Sequence, residues 1–163
     1  MSWSRVAAAA TLARALASCG FHLRGDNAFA FSSIYVNAPS SPPMTTELTR
    51  AISSGSAKVA DSAAAAEVIL EIPVVVDDKD VLSLSSGGAV REYALVKRVQ
   101  FRLRDKEGQD WMPAGEIVVR RSYTFNETQV LARDLQEQRL LREMQTDAVQ
   151  QILRRLQAAK KPV

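Results

Sequence analysis

The chain has 163 residues, 47% of them hydrophobic and 24% charged, with a formal charge of +3. That length suits one domain able to bury a substantial core. One cysteine and one histidine exclude an internal disulfide and a Cys/His zinc site of the usual ligand number. Arg5 and Arg14 precede Cys19, so the chain from Cys19 onward carries 19 basic against 18 acidic residues and is close to +1. This near-balance does not point to nucleic acid as a partner.

The first residues, MSWSRVAAAATLARALASCG, have the three parts of a secretory signal in order. Arg5 is the basic start, Val6 to Ala13 the apolar run, and Leu16-Ala17-Ser18-Cys19 a small-residue ending. Arg14 is out of place in such a run. The ending resembles the lipobox of bacterial lipoproteins, in which a peptidase cuts before a cysteine that carries lipid. On that resemblance residues 1–18 are a signal peptide, Cys19 is the lipid anchor and 19–32 is a tether. Several acyl chains give near-permanent anchoring, because each buried methylene contributes about 0.8 kcal/mol. His22 falls in this tether and is read as an exposed residue. Gly20 in place of an aspartate implies, by the same resemblance, delivery to the outer membrane.

A single domain is expected over 33–163. Ile34-Tyr35-Val36 predicts a first strand and the Pro/Ser-rich Ala38–Pro43 a loop. Leu48 and Ile52, four apart, predict a short helix over Thr45–Ser53, capped by Thr45 or Thr46. The Ala63–Ala66 run reads as helix or turn. Val68–Val76 is β-rich, and Pro73 within it predicts an edge strand or a bulge. Asp77-Asp78-Lys79-Asp80 reads as a bend, with Val81–Leu84 continuing the strand. The aspartates lack the glycine and distant glutamate of a calcium loop, so a solvated acidic turn is expected and no metal.

Ser85-Ser86-Gly87-Gly88 is a turn signal. From Tyr93 the residues alternate, with Tyr93, Leu95, Lys97, Val99, Phe101 and Leu103 on one face and Arg98, Arg102 and Arg104 on the other. Asp105–Gly108 predicts a hairpin turn. Ile117–Phe125 is the returning strand, its apolar face broken by Arg121. Asn126 and Gln129 have the spacing of a capping box. Leu141, Met144, Ala148, Ile152 and Leu156 then form the apolar stripe of a long helix. The fold class is α+β: a roughly four-stranded, mostly antiparallel sheet with two helices packed on one face. The sequence does not fix the strand order.

No nucleophile elbow, phosphate loop or paired catalytic carboxylates occur, so no catalytic residues and no cofactor are assigned. The arginines of the open face are read as solubilising or as forks for phosphate and carboxylate groups. Lys97 and Arg121, charged on apolar faces, are expected to reach a strand edge.

Cys19-Gly20-Phe21-His22-Leu23-Arg24-Gly25, Arg91-Glu92-Tyr93-Ala94-Leu95 and Phe101-Arg102-Leu103 occur in an order that resembles one family. So do Arg121 with Tyr123–Asn126, Gln129–Arg133, Leu141–Gln145 and Ala148–Leu156. The family is that of the LPS-assembly lipoprotein LptE (RlpB). The resemblance implies a non-enzymatic lipoprotein of the outer membrane that plugs the lumen of the LptD β-barrel, assists its folding and helps insert lipopolysaccharide into the outer leaflet. It implies lipopolysaccharide contacts at Arg91 and Arg133. The alternative is another periplasm-facing lipoprotein accessory, pilotin-like or a barrel-assembly component.

Overall fold

The computed structural model describes residues 29–124 and 130–162, except for the side chains of 130–133. The signal segment, Cys19, His22 and the Asn126/Gln129 box lie outside the described residues. Strand β1 (Ser33–Asn37) leads to helix α1 (Pro42–Ser53), the two-residue strand β2 (Lys58–Val59) and a single 3-10 turn (Ala63–Ala65). Three long strands follow: β3 (Val68–Leu84), β4 (Val90–Asp105) and β5 (Asp110–Thr124). Helix α2 (Val130–Ala158) closes the chain. The sheet order is β2-β1-β3-β4-β5. β1 runs parallel to both its neighbours, and the β3–β4 and β4–β5 pairs are antiparallel.

The fold is α+β as expected, with five strands among the described residues rather than four. The added strand, β2, is too short to leave a period in the sequence; Lys58 and Ala60 simply donate backbone hydrogen bonds to Ser32 and Ile34. Both helices cover one face. Met44, Leu48 and Ile52 of α1 and Met144, Ala148, Ile152 and Leu156 of α2 are fully buried. They meet Ile34, Leu70, Ile72, Val99, Phe101, Leu103 and Ile117 from the sheet in one cluster. Glu47 ties the helices together, accepting from Gln145 Nε2 and Thr146 Oγ1, both at 2.8 Å.

Five local expectations are corrected. Pro42 and Pro43 belong to α1 rather than to the loop, and Ser41 rather than Thr45 or Thr46 is the N-cap residue. Proline is favoured in a helix's first turn, where an absent N–H loses no hydrogen bond. Asp77–Lys79 is regular strand, not a bend. β5 begins at Asp110, well before Ile117. Finally, Phe31, assigned to the tether, is 3% exposed; it stacks on Phe29 at 5.2 Å and meets Trp111 edge-on at 6.1 Å.

Both hairpin turns follow the expected chemistry. Gly88 and Gly108 adopt φ of 81° and 87°, a left-handed conformation that glycine enters without a Cβ clash. Asp105 accepts at its side chain from the Gln109 N–H at 2.8 Å, closing the second turn.

Candidate functional site on the open sheet face

Helices leave the second face of β3, β4 and β5 uncovered. Alternation brings Arg98, Arg102, Arg104 and Arg120 onto it, as the sequence indicated for the first three. The register adds what the sequence reading missed: Glu71, Asp78, Asp80 and Glu116 share that face. Glu71 accepts from Arg102 Nη2 at 2.5 Å and from Arg104 Nη2 at 2.7 Å. Asp78 pairs with Arg98 at 3.3 Å. The face is thus a lattice of charge pairs, not a basic patch. Hydrogen bonds from Arg104 and Arg102 hold the Glu71 carboxyl below its usual pKa. Among the described residues Arg91 and Arg120 have no ion-pair partner and both are exposed.

Two of the sheet's register shifts shape the middle of this face. Ile72 and Pro73 of β3 together oppose Phe101, and Pro113 and Ala114 of β5 oppose Arg102. Each proline sits where the ladder is already interrupted, the position in a sheet that tolerates its missing donor. Between the bulges lies an open groove of about 660 Å³, lined by Glu71, Gln100, Arg102 and Glu116 over a floor that includes Phe101 and Gly115. Gly115 makes room for close packing. A Cβ there would lie 3.1 Å from Phe101 Cζ and 3.2 Å from Arg155 Nη1, and the Arg155 guanidinium stacks over the Phe101 ring at 4.9 Å.

Lys97 does not reach a strand edge, whereas Arg121 stands exposed on the edge strand β5. Lys97 is 3% exposed, its ammonium 2.6 Å from Asp77 on the helix side of the sheet. Arg121 pairs with Asp147 of α2. Asp77 and Asp78 therefore point to opposite sides, because successive strand residues alternate.

A second polar cluster fastens α2 to the far end of the sheet. Glu137 accepts from Lys79 Nζ and Tyr123 Oη, each at 2.5 Å. The Lys79 ammonium also lies 4.4 Å from the Tyr93 ring centre. Burial opposes the charge on Lys79, but its hydrogen bonds to Glu137 and Tyr123 outweigh it and raise the pKa. Burial, reinforced by Glu137, pushes the Tyr123 phenol up. Among the described residues no group of three His, Cys, Asp or Glu side chains is arranged to hold a metal ion, and no helix is long and apolar enough to cross a membrane.

The domain is thus a helix-backed sheet with a largely ion-paired open face. The profile of the LptE family, described as lipopolysaccharide-assembly, matches residues 31–156. The chain belongs to this family, whose members are LPS-assembly lipoproteins. It is 28% identical over 144 residues to the LPS-assembly lipoprotein LptE of Pectobacterium atrosepticum, covering 86% of this chain and 77% of that one. The solution structure of lipoprotein B from Nitrosomonas europaea superposes with a TM-score of 0.75 at 40% identity, covering 85% of this chain and 91% of the other. A minor lipoprotein of Acinetobacter baumannii shares the fold at 20% identity, with a TM-score of 0.67 over 83% of this chain and 100% of the other.

Proposed function

We propose that this chain is the plug of the LptD barrel: a lipoprotein held at the outer membrane through Cys19, with residues 1–18 removed as a signal and 19–32 leading into the domain. Seated in the lumen, it assists folding of the barrel and passage of lipopolysaccharide into the outer leaflet. It works by binding, with no catalytic step. The observation that carries this reading is the polar, ion-paired open face, considered together with the family. The wall of a wide barrel lumen is polar. A face on which Arg98, Arg102 and Arg104 are already matched by Asp78 and Glu71 meets such a wall with most of its charge paired, leaving Arg120 for a partner on the wall.

Purification of the tagged chain from membranes should bring down a large lipopolysaccharide-export barrel in near-equal amount. Recovery of a secretin or another assembly factor instead would contradict the plug reading. Labelled palmitate should mark the wild type and not Cys19→Ser. Lipopolysaccharide contacts are proposed at Arg91 and Arg133. Arg91 is exposed at the start of β4; the side chain of Arg133 lies outside the described residues. The double variant Arg91→Glu/Arg133→Glu should bind lipopolysaccharide more weakly, and undiminished binding by a folded double variant would contradict the assignment.

A further inference from the structure

The chain enters the domain close to a pocket. Phe29 stacks on Phe31, and Phe31 meets Trp111 near the start of β5. Trp111, Met112 and Pro113 form one wall of an open pocket of about 400 Å³, with Arg155, Ala158 and Ala159 of the α2 end opposite. The lining is mostly apolar. A cavity of roughly 150 Å³ already holds a benzene-sized group, so this pocket has room for a ring and a second apolar side chain. The Trp111 indole N–H is buried and has no hydrogen-bond acceptor among the described residues. Leaving such a donor unsatisfied costs about 1–3 kcal/mol, which a carbonyl from a further segment would offset.

We propose that this pocket receives the segment just before the domain, with the Phe21 ring and the Leu23 side chain seated between β5 and the end of α2. Residues 20–28 lie outside the described residues. Their sequence, Gly-Phe-His-Leu-Arg-Gly-Asp-Asn-Ala, holds two large apolar side chains, at positions 21 and 23. In an extended segment these share one side, with His22 on the other. The charges of Arg24 and Asp26 fall outside the pair. Reach permits the docking. Leu23 is six residues before Phe29, a span of up to about 20 Å, and Phe29 is one ring removed from Trp111. A segment joined by so short a linker has an effective concentration in roughly the millimolar range, so it outcompetes a free partner of similar affinity. Docking leaves Gly20 between Phe21 and Cys19. Where Cys19 carries lipid, the end of α2 is thereby held against the membrane. That consequence rests on the lipoprotein reading; the docking itself does not.

The test uses the full chain and a second form carrying Cys19→Ser. In both, proton–proton contacts measured by NMR should join the Phe21 ring or the Leu23 methyls to Met112, Ala158 or Ala159. Phe21→Ser/Leu23→Ser should speed exchange of the Trp111 indole proton and the Ala159 amide by about threefold or more, leaving Val68–Ile72 unchanged. Absence of these contacts, contacts to another part of the domain, or unchanged exchange in the folded double variant would each overturn the proposal. Failure of Cys19 to take up palmitate, with the contacts still in place, would support the docking and contradict the anchoring alone.

Discussion

The two ends of the sheet are held by different forces. At the proximal end, β1 and the first residues of β3 sit beneath α1 and the C-terminal half of α2, and Leu70, Ile72, Met44 and Ile152 have no exposed surface. At the distal end β3 and β4 run on past β1. There the N-terminal half of α2 is fastened by Glu137 with Lys79 and Tyr123, and the middle of the helix by Asp147 with Arg121. β3 has 17 residues and so spans roughly 55 Å, longer than the region both helices cover. Apolar burial stabilises regardless of direction. Polar clasps fix geometry and contribute less, because each exchanges water for a protein partner. The proximal end therefore carries the fold, and the distal end offers surface.

Truncating side chains at the two ends breaks this comparison most strongly. Ile152→Ala or Leu70→Ala should cost about 2–5 kcal/mol in urea unfolding, through a cavity in a packed core. Leu82→Ala should change stability by no more than about 0.5 kcal/mol. A large loss at Leu82 would mean that the distal end is covered rather than open.

Smaller effects separate the buried clasp from its exposed neighbours. Asp77→Ala leaves the Lys97 ammonium unpaired in a buried position and should cost about 1–3 kcal/mol, since half of that pair is solvated. Lys97→Met, which removes the charge itself, should be close to neutral. Equal losses in the two single variants would contradict this asymmetry.

The smallest effect is pH-dependent. The Glu71 pKa is lowered in the folded state, so its contribution is complete above the unfolded carboxylate pKa. It is lost as pH falls through the folded value, below the ordinary glutamate range. Glu71→Gln should lower stability by roughly 1 kcal/mol at neutral pH and flatten the acid limb. An unchanged acid limb would mean that the Arg102–Glu71–Arg104 triad adds nothing.

Much of the proximal end was legible. Period-two alternation in β4 and the Met144, Ala148, Ile152, Leu156 stripe come from local geometry that any segment of those sequences obeys. The start of β5 was not legible, because Pro113 and Gly115 read as breakers and only the bulge opposite Arg102 makes room for them. The open face was half legible. Its arginines follow from alternation within one strand, but their carboxylate partners follow from register between two. The register that pairs Glu71 with Arg102, continued without the Pro73 bulge, would set Asp78 opposite Leu95, on the helix side. The bulge shifts it to Val96 and so to Arg98. Local sequence signals a bulge at a proline without saying which partner absorbs it. Cys19 rests on the signal-like order of residues 1–18 and its lipobox ending, Arg91 and Arg133 on the family resemblance alone; no local pattern sets those two arginines apart from the other surface cations.

Residue-resolved amide exchange on the full chain, alone and with the proposed barrel partner, tests the division of the domain most directly. The account expects strong protection of Val68–Ile72 and Met144–Leu156 in both states. It expects faster exchange on the edge of β3 beyond Val74, where β1 no longer pairs with it, in the isolated chain. Uniform protection of both ends in the isolated chain would contradict it.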